Sequence, residues 1–161
     1  MIEITIPGPP VGKARPRLVA AKGKSRVYTP RKTSAYEAAV ATRARLALAG
    51  HLDPGACIVG SRVAPLAGPL SVQITAYYPQ PAKPGPGHDC RQHPPRGWSR
   101  PAAMGGGRRP DLDNVIKIIL DGLNQSGIWT DDRQVAELTA RAVYCNDPRV
   151  VVVVHQLRGE G

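Results

Sequence analysis

Short runs of alternating apolar residues set between two long helical stretches predict an α+β fold, a single domain whose mixed β-sheet is flanked by two main helices. Ile2, Ile4 and Ile6 alternate with Glu3 and Thr5, and Leu70, Val72, Ile74 and Ala76 alternate with Ser71, Gln73 and Thr75. That period of two marks strands with one buried face. The stretches 29–50 and 111–125 space their apolar residues at three and four instead, the helical period. A length of 161 residues suits one domain with a real core, and no internal repeat or second domain interrupts it.

The elements follow in order. Gly8-Pro9-Pro10 stops a first strand at 2–6. Residues 13–20 and 25–28 flank Lys22-Gly23-Lys24, which predicts a basic hairpin. Thr29-Pro30 predicts a helix with Thr29 as N-cap and Pro30 at its first position. Ser34 and Glu37 offer a rival capping-box start. Tyr36, Val40, Ala44 and Ala47 make the helix stripe, and Gly50 ends it. Residues 51–68 predict a loop, and 70–78 the clearest strand. From 79 to 110 there are eight prolines, six glycines and no apolar period. A loop of this length exceeds the roughly 12–15 residues usual inside a domain, so it is expected to be either mobile or functional. A second helix is predicted over 111–125, with Val115, Ile116, Ile119 and Leu123 buried and Gly127 as its stop. Strands at 134–145 and 150–154, joined by a turn at Asn146-Asp147-Pro148, complete the chain.

Composition narrows the function. A net charge of +10 and a pI near 10.1 favour a polyanionic partner. Residues 13–32 hold eight Lys/Arg and no acid, and 83–109 hold six against Asp89 alone. A solvated surface is the plainer account of such runs, and charge alone does not separate DNA from RNA or a membrane surface. No apolar run approaches the roughly 18 residues of a membrane span, so no membrane partner is expected. The N-terminus has no basic, then apolar, leader. Cys57, Cys90 and Cys145 are odd in number and widely spaced, which favours reduced thiols and a cytoplasmic location.

Against this basic background, five of the twelve acidic residues fall between 111 and 132: Asp111, Asp113, Asp121, Asp131 and Asp132. Carboxylates repel phosphates, and a divalent cation held between them reverses that local sign. The pattern predicts a metal-dependent enzyme acting on nucleic acid. Taken singly, Asp111 is a helix cap and Asp113 a first-turn carboxylate favoured by the helix dipole. Asp113, Lys117 and Asp121 are four apart and share a face, as an ion-pair ladder would. The same spacing sets Lys117 beside a metal-bound phosphate, where it stabilises transition-state charge or positions the attacking water. Asp131-Asp132 follow Trp129 in a loop entering a strand, where only one of the two can face inward. Such hard oxygen ligands suit Mg2+, with Mn2+ able to substitute.

The run Arg109-Pro110-Asp111-Leu112-Asp113-Asn114-x-x-Lys117-x-x-x-Asp121-Gly122-Leu123, then Gly127-Ile128-Trp129-x-Asp131-Asp132-x-Gln134-Val135, resembles the RusA-type Holliday junction resolvases of bacteria and their phages. Ile6-Pro7-Gly8-x-Pro10-x-x-Lys13-x-Arg15-Pro16-Arg17 and Tyr28-Thr29-Pro30 are similar to that family's opening. The likeness spans most of the chain but not 51–68 or 80–107. It implies a Mg2+-dependent homodimer that cuts four-way DNA junctions, with no small-molecule cofactor. It carries the essential carboxylates onto Asp111, Asp113 and Asp132, which would hold the metal, and the essential lysine onto Lys117. Asn114, Asp121 and Asp131 match as supporting residues.

Lys13, Arg15 and Arg17 alternate, so a strand would put them on one face to grip phosphates, or to guard a solvated edge. With the resemblance, these three and Arg108 and Arg109 are the DNA-binding candidates. The loop also offers Lys83, Arg91, Arg96, Arg100 and Trp98 to DNA. His88, Cys90 and His93 lack a paired half-site, so zinc is disfavoured. The expected function is an endodeoxyribonuclease that resolves junctions by paired symmetric nicks, leaving 5′-phosphate ends, in recombination and repair. A less selective Mg2+ nuclease and a non-catalytic nucleic-acid-binding module are the alternatives.

Overall fold

The computed structural model describes residues 1–15, 17–21, 24–52, 65–79 and 110–157. Among them, four strands form one mixed sheet: β1 (Ile2–Pro7), β4 (Leu70–Pro79), β5 (Val135–Cys145) and β6 (Arg149–Gln156), in the order β1-β6-β4-β5. β6 runs antiparallel to both β1 and β4, and β4 runs parallel to β5, so the sheet is mixed as expected. β2 (Arg17–Ala21) and β3 (Lys24–Tyr28) pair as the basic hairpin, separate from the sheet. The helices are α1 (Arg31–Leu52) and α2 (Leu112–Ser126).

One face of the sheet carries the core. Ile2, Ile4, Ile6, Leu70, Val72, Ile74, Val150, Val152 and Val154 are all buried there, each on a strand that alternates inward and outward. α2 supplies Val115, Ile118, Ile119 and Leu123, and α1 supplies Val40, Ala44 and Leu48. The helices approach closely at Gly122, where an added Cβ would lie 2.6 Å from the Cβ of Val40 and 3.0 Å from the carbonyl oxygen of Glu37. α2 stops at Gly127, whose φ of 74° is the left-handed conformation that glycine adopts without steric cost.

Several sequence expectations need correction. α1 begins at Arg31, one residue later than expected: Pro30, not Thr29, holds the N-cap position, its carbonyl accepting from the amides of Thr33 and Ser34. Ser34 does not cap: its hydroxyl donates to the Arg31 carbonyl at 3.1 Å. α1 also runs past Gly50 to Leu52, since a helix tolerates an exposed glycine at modest cost. The buried face of α2 includes Ile118, while Ile116 is only half-buried. Lys13 and Arg15 lie before the hairpin strand, which starts at Arg17, so no strand alternation joins the three. The proline- and glycine-rich loop at 80–109 lies outside the described residues.

Candidate active site

The mouth of α2 is held from three sides. Tyr78 at the end of β4 donates its hydroxyl to the Pro110 carbonyl at 3.3 Å. The N-terminal segment crosses at Gly12, where an added Cβ would meet the Cβ of Pro110 at 2.6 Å, so only glycine fits. Lys13 then donates its backbone N–H to the Asn114 carbonyl at 2.9 Å. Asp111 occupies the N-cap position in extended backbone, and its carbonyl accepts from the amides of Asn114 and Val115. Its side chain makes no capping bond and is exposed, so the carboxylate is not committed to the helix. One turn on, Lys117 Nζ donates to Asp113 Oδ2 at 3.1 Å, both groups well exposed. This hydrogen bond from Lys117 holds the Asp113 carboxyl below its usual range.

Asp131 and Asp132 stand at the other end of α2. Asp131 caps a single 3-10 turn, Asp132–Gln134, by accepting from the Arg133 amide at 2.9 Å, which lowers its pKa. Gln134 closes the reciprocal capping box, its Oε1 accepting from the amides of Thr130 and Asp131. Its Nε2 donates to the carbonyls of Leu66 and Gly68, so one amide ties this turn to the segment leading into β4. Asp132 accepts from Asn124 Nδ2 at 3.3 Å, and the Oδ1 of Asn124 accepts from the indole N–H of buried Trp129. Trp129 therefore reaches Asp132 through Asn124. Sequence reading missed both Asn124 and this use of Gln134; Gln three residues after Asp131 is the one signal that could have exposed the cap.

Asp121, expected on the Lys117 face, instead takes the ammonium of Lys13. Buried Glu37 lies 3.7 Å from the same ammonium, and its other oxygen accepts from Gln125 at 3.3 Å. The hydrogen bond to Asp121 raises the Lys13 pKa above its ordinary value. Lys13 thus pins the N-terminal segment to both helices. Arg15 is exposed. The side chain of Arg17, and Arg108 and Arg109 entirely, lie outside the described residues, as do His88, Cys90, His93 and Trp98.

The donor chemistry suits a hard divalent ion, but one chain does not bring the three aspartates together. Asn124, which holds Asp132, is eleven residues beyond Asp113 on the same helix. At ~1.5 Å per residue that is roughly 16 Å along the axis. Two oxygens on one Mg2+ lie within about 4 Å of each other. Accordingly, no three His, Cys, Asp or Glu side chains among the described residues converge on a point. Asp111 and Asp113, both exposed at the start of α2, offer two carboxylates, and Mg2+ needs few because water and phosphate complete its shell.

No helix among the described residues is long and apolar enough to cross a membrane. The family model described as Endodeoxyribonuclease RusA matches residues 7–155. The chain is also 29% identical over 156 residues to the Uncharacterized protein YqaN of Bacillus subtilis (strain 168), covering 97% of this chain and 96% of that one.

Proposed function

The chain belongs to the RusA endodeoxyribonuclease family, metal-dependent nucleases of the Holliday junction resolvase type, and from that premise we propose that it resolves four-way DNA junctions as a Mg2+-dependent homodimer. It does so by paired symmetric nicks that leave 5′-phosphate ends, in bacterial recombination and repair. The observation that carries this reading is the mouth of α2. There Asp111, whose carboxylate makes no capping bond, and Asp113, paired with Lys117, stand two residues apart at the start of α2.

Asp111 and Asp113 would hold the ion, which when bound supplies charge neutralisation and an activated water. Lys117 pairs with Asp113 and keeps a positive charge where the phosphate must approach. The N-terminal segment, pinned through Lys13 and Gly12, holds the helix mouth in place as DNA binds. A two-fold dimer provides two sites on a near-symmetric junction. It also lets Asp132 of one protomer approach Asp111 and Asp113 of its partner, which the length of α2 forbids within one chain.

Incubating the protein with a labelled four-way junction and with the matching linear duplex, with and without Mg2+, tests this. Mg2+-dependent paired nicks confined to the junction are expected. Equal cutting of both substrates would leave a general nuclease, and binding without nicking a non-catalytic module.

A further inference from the structure

We infer that the outer edge of β5 is the self-pairing surface of the homodimer, in an antiparallel register centred on Thr139; this rests on the dimeric reading above and names its interface. β5 is the last strand of the sheet, and among the described residues no strand pairs with its outer side. It is eleven residues long and contains no proline. Ala136, Glu137, Leu138, Thr139 and Arg141 are exposed, Leu138 at 44%. A long exposed edge of this kind presents unpaired backbone donors and acceptors and invites another strand.

The side chains say which strand. About Thr139 the strand is complementary to itself in charge, with Glu137 two residues before it and Arg141 two residues after. A two-fold axis through Thr139, perpendicular to the sheet, sets Glu137 opposite the partner's Arg141 and Arg141 opposite the partner's Glu137. On that same face the two Thr139 side chains meet each other. On the helix-bearing face, the larger Leu138 meets the smaller Ala140 of the partner. Directly opposed residues in an antiparallel pair have Cβ atoms roughly 4.5–5.5 Å apart, close enough for each of these contacts. Shifting the register by one step either way places Glu137 against Thr139 or Val143 and loses both ion pairs. Arg141 is already steadied for this role, its Nε donating to Thr75 Oγ1 at 3.0 Å and leaving its terminal nitrogens as donors.

The register has a consequence at the candidate site. The start of β5, just after the turn that carries Asp132, falls near the partner's Tyr144. Tyr144 lies beside Tyr78 in the sheet, and Tyr78 holds Pro110 at the mouth of α2. The pairing therefore brings Asp132 of one protomer to the end of the partner's sheet where Asp111 begins its helix. The result is a continuous eight-stranded sheet with a candidate site on each side of the axis.

Cysteine cross-linking reads the register directly, with Cys57, Cys90 and Cys145 replaced by serine. Thr139→Cys places the two sulfurs across the axis, and mild oxidation should give a covalent dimer. Glu137→Cys should give none, because its own copy lies four residues away, roughly 14 Å along the strand. Glu137→Cys with Arg141→Cys should cross-link again. Separately, Glu137→Arg should weaken dimerisation roughly tenfold or more by opposing two arginines, and adding Arg141→Glu should restore it. A dimer by sedimentation that gives no Thr139→Cys cross-link, or that cross-links Glu137→Cys equally well, overturns this interface while leaving the dimeric nuclease standing. A monomer overturns it as well. Register-specific cross-linking without any junction cleavage would uphold the interface and sink the proposed function.

Discussion

Replacing Asn124 separates what holds the fold from what aims Asp132. Asn124 accepts from the buried Trp129 indole and donates to Asp132 at 3.3 Å, one side-chain amide serving two neighbours. Asn124→Leu removes both. The indole N–H is then buried without a partner, which typically costs about 1–3 kcal/mol. For a chain of this size each kcal/mol lowers Tm by roughly 2–4 °C, so the expected fall is about 2–12 °C. Asn124→Asp keeps an acceptor for the indole but sets a carboxylate against Asp132. Its Tm should stay nearer the wild type, while Asp132 is pushed off its position. A misplacement of about 1 Å at a reacting centre can cost on the order of 100-fold in rate. Circular-dichroism melts and single-turnover junction cleavage, measured on both variants, distinguish the two effects. Wild-type cleavage by Asn124→Asp would refute the idea that Asn124 positions Asp132. An unchanged Tm for Asn124→Leu would refute the dependence of Trp129 on it.

Asp111→Asn, Asp113→Asn and Asp132→Asn should each abolish cleavage and keep junction binding in mobility-shift titrations; a variant that still cuts normally is not part of the metal site. Lys117→Met should slow cleavage by roughly 100- to 1,000-fold, with an unmoved Tm because the pair with Asp113 is exposed. Unchanged kinetics would leave Lys117 as a surface pairing residue. Gly122→Ala forces a Cβ to 2.6 Å from Val40. Overpacking of about 1–3 kcal/mol, less about 1 kcal/mol gained in helix propensity, should lower Tm by roughly 4–8 °C at the upper end; a Tm equal to or above the wild type would show that the helices separate freely. Burial, then the neighbouring Tyr78, pushes the Tyr36 pKa up to about 12, and Asp121 raises that of Lys13. Both folded-state values lie above the unfolded ones, so their stabilisation is complete below about pH 10 and is lost as pH rises toward 12. Melts across that range should show the loss, and Tyr36→Phe should remove part of it; an identical alkaline limb in the variant would contradict the shift.

The strands were legible because the sheet is covered on one face, which imposes a strict alternation on Ile2, Ile4 and Ile6 and on Leu70 to Ala76. The helix mouth was legible for a different reason: Pro110-Asp111 and Gly127 are punctuation that works locally. What stayed hidden was long-range. Nothing at Lys13 alone says that its ammonium turns inward to Asp121 and Glu37, residues 108 and 24 positions away. A basic residue in a basic run looks like a phosphate contact until packing assigns it a carboxylate.

The same distinction governs the candidate site. Sequence spacing put Asp111, Asp113 and Asp132 in one short stretch, but spacing along a chain is not distance in space. α2 is rigid and fifteen residues long, and it carries the chain away from Asp113 before Trp129 and Asn124 fix Asp132 at its far end. A flexible loop of equal length could have folded Asp132 back. In the proposed dimer, the rigidity that defeats convergence within one chain would make a composite site specific, because each half is already held in place by its own contacts. Asp113 is oriented by Lys117, Asp132 by Asn124, and the turn beside it by Gln134. Assembly would then have only to bring two such halves together, and in the proposed interface the complementary charges of Glu137 and Arg141 on β5 set the register in which it does so.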